Sequence, residues 1–139
     1  MAEKKIKNFN GMDEKISYWL ESSDYDLDTA KIMLEGKRFL YVGFLCHMAI
    51  EKALKAYYQY SKNEIPPKIH NLLLLASETG LFRLMNENQV DFLTRLNPLN
   101  IEARYPEYKE RIFKTLDERY CKSLIKETGS MQKWIKERL

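Results

Sequence analysis

The glycines and prolines of this chain are few and widely spaced. There are 5 Gly and 4 Pro in 139 residues, and Gly36, Pro66-Pro67, Gly80, Pro98 and Pro106 divide the chain into long unbroken stretches. An all-β chain needs many turns, so this spacing argues against one and predicts long helices. A hydrophobic content of 45% against 31% charged residues is that of a folded chain, and the length suits one domain.

Between these breaks the apolar residues recur at helical intervals. After a polar leader over 1–12, with Asp13 as cap, a first helix is predicted from Glu14 to Glu35. Ile16, Trp19, Leu20, Ser23, Leu27, Ala30 and Leu34 lie on its inner face, and Gly36 suits a left-handed closing residue. A second helix is predicted from Phe39 to Lys62, with Gly43, Cys46, Ala49, Ile50, Ala53 and Tyr57 inward. Its small residues would let a neighbouring backbone approach closely. Pro66-Pro67 enforces a loop. A short helix follows from His70 to Thr79, closed by Gly80, and then one capped by Asn86 or Asn88. Pro98 breaks or restarts that helix, Leu99–Ala103 forms a further turn, and Pro106 stops it. Residues 105–114 read as irregular, and a last helix runs from Thr115 to Arg138 with a kink at Gly129. The expected fold is all-α: an up-and-down bundle of four long helices plus a short one, in a single domain over 13–139.

Several classes are excluded. No apolar run approaches the ~18 residues of a membrane span, and the charged start lacks the apolar core of a secretory signal. Two lone cysteines, Cys46 and Cys121, fit reduced thiols in the cytoplasm, and two Cys with two His give no zinc-ligand pattern. The net charge of +3 averages two unlike parts: residues 1–103 hold 13 basic and 14 acidic side chains, and residues 104–139 hold 10 and 6. The basic end is either a solvated helix face or an anion-facing surface formed by Arg104, Lys109, Arg111, Lys114, Arg119 and Lys122.

Four segments resemble the HEPN domain family, in the family's order. They are Trp19-Leu-Glu-Ser-Ser-Asp-Tyr-Asp-Leu-Asp-Thr-Ala30, Phe44-Leu-Cys-His-Met-Ala-Ile-Glu-Lys-Ala-Leu-Lys-Ala56, His70-Asn-Leu72 and Asn100-Ile-Glu-Ala-Arg-Tyr-Pro106. The resemblance, to the type associated with minimal nucleotidyltransferases, implies a helical bundle that forms a homodimer. It also implies a minimal nucleotidyltransferase partner in a two-component or toxin–antitoxin pair, and a nucleotide or RNA as ligand. It implies no cofactor and no metal. Many members are metal-independent ribonucleases with an Arg-x(4–6)-His motif. Here neither histidine follows an arginine at that spacing, since eight residues separate Arg38 from His47 and no histidine follows Arg104. The motif joins a charge-stabilising arginine to a proton-moving histidine, so no catalytic residue is assigned. The alternatives are a ribonuclease with an atypical site made of Arg104, Tyr105 and one histidine, or a purely regulatory homodimeric module.

The candidate ligand residues are Arg104, Tyr105, Lys52, His47, His70 and Arg111. Arg104 offers a planar fork for phosphate and Tyr105 a stacking face, unless Arg104 is tied internally and Tyr105 packs under Pro106. His47 reads as a core histidine or a proton carrier, and His70 as a helix-start residue touching exposed amides or fixing the loop. Glu51, Lys52 and Lys55 interrupt an apolar helix, either as a functional group or as structural charges, with Glu51 and Lys55 one turn apart. A buried Glu51 would hold Arg104 in a bidentate pair. Tyr57, Tyr58 and Tyr60 are packing residues or an exposed dimerisation patch.

Overall fold

The computed structural model describes residues 11–100 and 106–139, apart from the side chains of residues 11, 12, 106–109 and 113. Among the described residues six helices follow one another: α1 Gly11–Glu35, α2 Phe39–Lys62, α3 Leu72–Thr79, α4 Glu87–Leu96, α5 Pro106–Thr115 and α6 Glu118–Lys136. Single 3-10 turns cover Phe82–Leu84 and Asn97–Asn100. The all-helical expectation holds. Among the described residues no helix is long and apolar enough to cross a membrane.

α2 has the bounds that its pattern predicts. Elsewhere the local chemistry shifts the boundaries. α1 begins at Gly11, so Asp13 is a buried first-turn residue and not the cap. At its other end Arg38 N bonds Met33 O at 2.8 Å and Lys37 N bonds Leu34 O at 3.0 Å. These bonds form a Schellman closure, which puts Lys37 (φ 58°), not Gly36, in the left-handed position. Asn71 caps α3 by accepting from the Leu73 and Leu74 amides, so His70 lies outside that helix. Asn86 caps α4 and forms a reciprocal capping box with Gln89.

The segment read as irregular contains α5. Pro106 is the first described residue of this helix, where it is tolerated because a first-turn residue needs no amide hydrogen and proline already has a helical φ; the turn expected over Leu99–Ala103 falls largely outside the described residues. α6 starts at Glu118, not Thr115, because Asp117 Oδ1 accepts from Tyr120 N at 2.8 Å and fixes the new start. α6 then continues through Gly129 to Lys136.

The three long helices make the core. Trp19 bonds Gln59, and Ser22 and Asp26 meet Lys52, so α1 and α2 run antiparallel. α6 returns antiparallel to α1, with its start near Lys37 through Glu118 and its far end on Ser23 through Gln132. Ser23 is the node of all three: Gln132 Nε2 donates to its hydroxyl at 2.8 Å, and the hydroxyl donates to Ala49 O at 2.6 Å. Ala30, Cys46, Ala49, Ile50, Ala53, Leu124 and Ile135 are buried completely around this contact. Gly43 accepts side chains and not a backbone: a Cβ there would sit 3.0 Å from Leu99 Cδ1 and 3.4 Å from Leu116 Cδ1.

Candidate functional site

α2 carries His47, Glu51, Lys55 and Gln59 at four-residue intervals, which places them in one line along the helix. All four are buried, and polar groups removed from water need partners. Gln59 Oε1 accepts from Trp19 Nε1 at 2.9 Å. Lys55 Nζ donates to Glu51 Oε2 at 2.8 Å and lies 5.8 Å from the centroid of the Trp19 ring. From the loop after α2, His70 places its Nδ1 on the same Glu51 oxygen at 2.9 Å. Glu51 is therefore a hub holding one helix turn and one loop.

Its other oxygen, Oε1, faces His47 Nδ1 at 3.6 Å, beyond hydrogen-bonding reach. Neither ring nitrogen of His47 nor Glu51 Oε1 has a hydrogen-bond partner among the described residues. Burial lowers the His47 pKa to about 4 despite the neighbouring carboxylate, so the ring is neutral at pH 7.

The structure sorts the sequence candidates. His47, Glu51, Lys55 and His70 come together. Lys52 points elsewhere, into a partly buried pair with Asp26 at 2.8 Å and a bond to Ser22 at 2.7 Å. Arg104 and Tyr105 lie outside the described residues, and so does the expected Glu51–Arg104 pair; the partners Glu51 has are Lys55 and His70. His70 does not touch the α3 amides, a task that Asn71 performs. Its side chain is 62% exposed, and its Nδ1 is held by the Glu51 carboxylate at 2.9 Å. Arg111 lines a groove of about 520 Å³ with Arg95, Leu99 and Tyr120. Tyr57 and Tyr58 are half-buried, so the expected tyrosine patch reduces to Tyr60. The exposed apolar row is instead on α1, where Tyr18, Tyr25 and Ile32 stand 67%, 72% and 61% exposed at seven-residue spacing.

Two further features are surface ones. Arg119, Lys122, Lys126 and Lys133 share one exposed face of α6. Lys122 meets Glu118 at 3.2 Å, whereas Arg119, Lys126 and Lys133 have no acidic group within 4 Å among the described residues. Beside this face, a groove of about 560 Å³ opens between α4 and α6. The line on α2 was open to sequence reading, since four polar residues at steps of four in an apolar helix mark a buried network. Nothing in the sequence alone brought the start of α4 against α6.

Both cysteines are free and buried, and burial raises Cys46 to about 11 and Cys121 to about 12, which leaves no reactive thiolate. Among the described residues no group of three or more His, Cys, Asp or Glu could hold a metal ion. In comparisons with known proteins, the family model described as HEPN domain matches residues 16–139. No curated protein and no solved structure matches.

Proposed function

The chain belongs to the HEPN domain family, a nucleotide- or RNA-related module, and from that premise we propose that it binds a nucleotide or RNA without cutting it and acts with a minimal nucleotidyltransferase partner. The observation that carries the reading is the basic face of α6, where Arg119, Lys126 and Lys133 are exposed cations with no acid within 4 Å among the described residues. The α2 line supports a structural role for its own residues, because Lys55 and Glu51 use their charges on each other. The module acts as a homodimer, and the Tyr18–Tyr25–Ile32 row is the apolar surface that supports pairing.

Titration of the purified chain with ATP, GTP and short RNAs, alone and with a minimal nucleotidyltransferase, tests the ligand half. Binding to at least one is expected, and binding to none removes that half. Light scattering tests the dimer: Tyr25→Lys is expected to shift it toward monomer, and a wild-type chain that is already monomeric at high concentration refutes the pairing.

A second reading, an atypical ribonuclease, is favoured by one observation. Glu51 orients the exposed His70 as a carboxylate orients a general base. Incubation with total RNA in excess chelator separates the readings: cleavage that His70→Ala abolishes would establish the second and overturn the non-catalytic first.

A further inference from the structure

We infer that the α4–α6 groove and the basic face of α6 form one site for a single-stranded nucleic acid, with an unpaired base in the groove and its backbone phosphates along the helix. The inference rests on the nucleotide- or RNA-binding reading above and specifies the surface and the form of the ligand.

The groove is built for a planar, polar ring. Phe92, Met131 and Trp134 supply apolar wall, and Asn88, Lys126 and Ser130 supply polar groups. Asn86 and Gln89 line it too. The carbonyl oxygens of both are engaged in the capping box, Asn86 Oδ1 by Gln89 N at 2.8 Å and Gln89 Oε1 by Asn86 N at 2.9 Å. What these two side chains have left is their NH2 groups, which suit the carbonyl and ring-nitrogen acceptors on a base edge. The one acid in the wall, Glu127, is taken up by Arg95 through two bonds of 2.8 and 3.3 Å. The groove therefore carries little negative charge of its own.

The charge outside the groove sets the class of ligand. Arg119, Lys126 and Lys133 recur every seven residues on one face, which spans about 21 Å at 1.5 Å per residue. Lys126 belongs to both the row and the groove. The first acid in line with the row is Glu137, past the end of the helix. A row of this length exceeds one nucleotide and matches a strand. A base can enter the groove only when it is unpaired, so the site prefers single strands to duplexes.

The test uses the full chain and fluorescence anisotropy with a labelled short oligouridylate and an RNA duplex of equal length. Three phosphate contacts on a single strand predict a roughly 20-fold loss of affinity between 50 and 200 mM salt. Lys126→Glu with Lys133→Glu should weaken binding and reduce the magnitude of the salt slope by about 1.4. Ser130→Phe fills the groove without changing charge and should weaken single-strand binding by about 5-fold or more, the worth of one stacked base. All three positions are exposed, so these variants retain the fold. Lys126→Gln with Lys133→Gln serves if the reversed charges do not. Binding that neither the lysine changes nor Ser130→Phe weakens overturns this site while the general reading stands. Equal affinity for duplex, with Ser130→Phe silent, overturns the base-insertion claim. A wild-type chain that binds no oligonucleotide, ATP or GTP removes the reading on which the site rests, and the site with it.

Discussion

Replacing Glu51 by glutamine should be the most damaging isosteric change in α2. The carboxylate is 3% exposed and 2.8 Å from the ammonium of Lys55, itself 8% exposed. At an effective dielectric of about 20 the attraction across that distance is about 6 kcal/mol, most of it set against the cost of removing both ions from water. Glutamine keeps the shape but leaves Lys55 charged and buried without a counter-ion, a loss of about 3–5 kcal/mol. The glutamine carbonyl oxygen still offers His70 an acceptor, and its exposed ring can also turn to water, so His70 adds little to the loss. Lys55→Met removes the orphan in turn. The double variant should therefore be more stable than Glu51→Gln alone, with a coupling energy of at least about 2 kcal/mol. Urea unfolding of the wild type, both single variants and the double at pH 7.5 measures all four corners. If the single effects add within about 0.5 kcal/mol, the pair is not coupled and the hub account of Glu51 is wrong.

Three further outcomes follow from the packing. His47 has a folded pKa of about 4 against an unfolded value of about 6.5, so its contribution is complete above pH 6.5 and is lost as pH falls to 4. Its protonation, beside Glu51, Lys55 and His70, should cost about 3 kcal/mol over that interval, and His47→Phe should flatten urea midpoints measured across it. Gly43→Val drives a branched side chain into Leu99 and Leu116 and should lose about 1–3 kcal/mol in thermal unfolding; an unchanged midpoint would contradict the tight contact. Ser23→Ala leaves the Gln132 amide buried without its acceptor and should cost about 1–3 kcal/mol, whereas Ser23→Thr, which keeps the hydroxyl, should cost less if the added methyl is accommodated.

The helices that the sequence specified best are those in which one signal acted alone. α2 has an apolar stripe, few competing breakers within it and an Asn63 in the left-handed position just past its end, and its predicted bounds hold. α5 was missed because proline both ends one helix and opens the next, and only the position of the following turn decides between them. The start of α6 was misplaced because Leu116 continues the apolar rhythm across the break that Asp117 makes. In the same way Lys37, and not the adjacent glycine, took the left-handed site, because the closing bonds fix which residue must turn. For the candidate site, the line of polar residues on α2 was visible as charge within an apolar helix. Which partners they have was not, because His70 and Trp19 reach them across 19 and 40 residues of chain or from the neighbouring helix. The groove between α4 and α6 depends wholly on tertiary placement.

The two bonds of the Ser23 hydroxyl close loops of very different length. Its bond to Ala49 closes a loop of 26 residues and the bond it receives from Gln132 closes one of 109. Chain-closure entropy for these is about 3 and 4 kcal/mol, so the α1–α2 hairpin forms more readily. On this ordering α6 is expected to dock onto an existing hairpin, so that the helix bearing the basic face arrives last. A folding intermediate with α1 and α2 paired would still expose Ser23 and the core beneath it. Pulse labelling during refolding should protect the amides of α1 and α2 before those of α6.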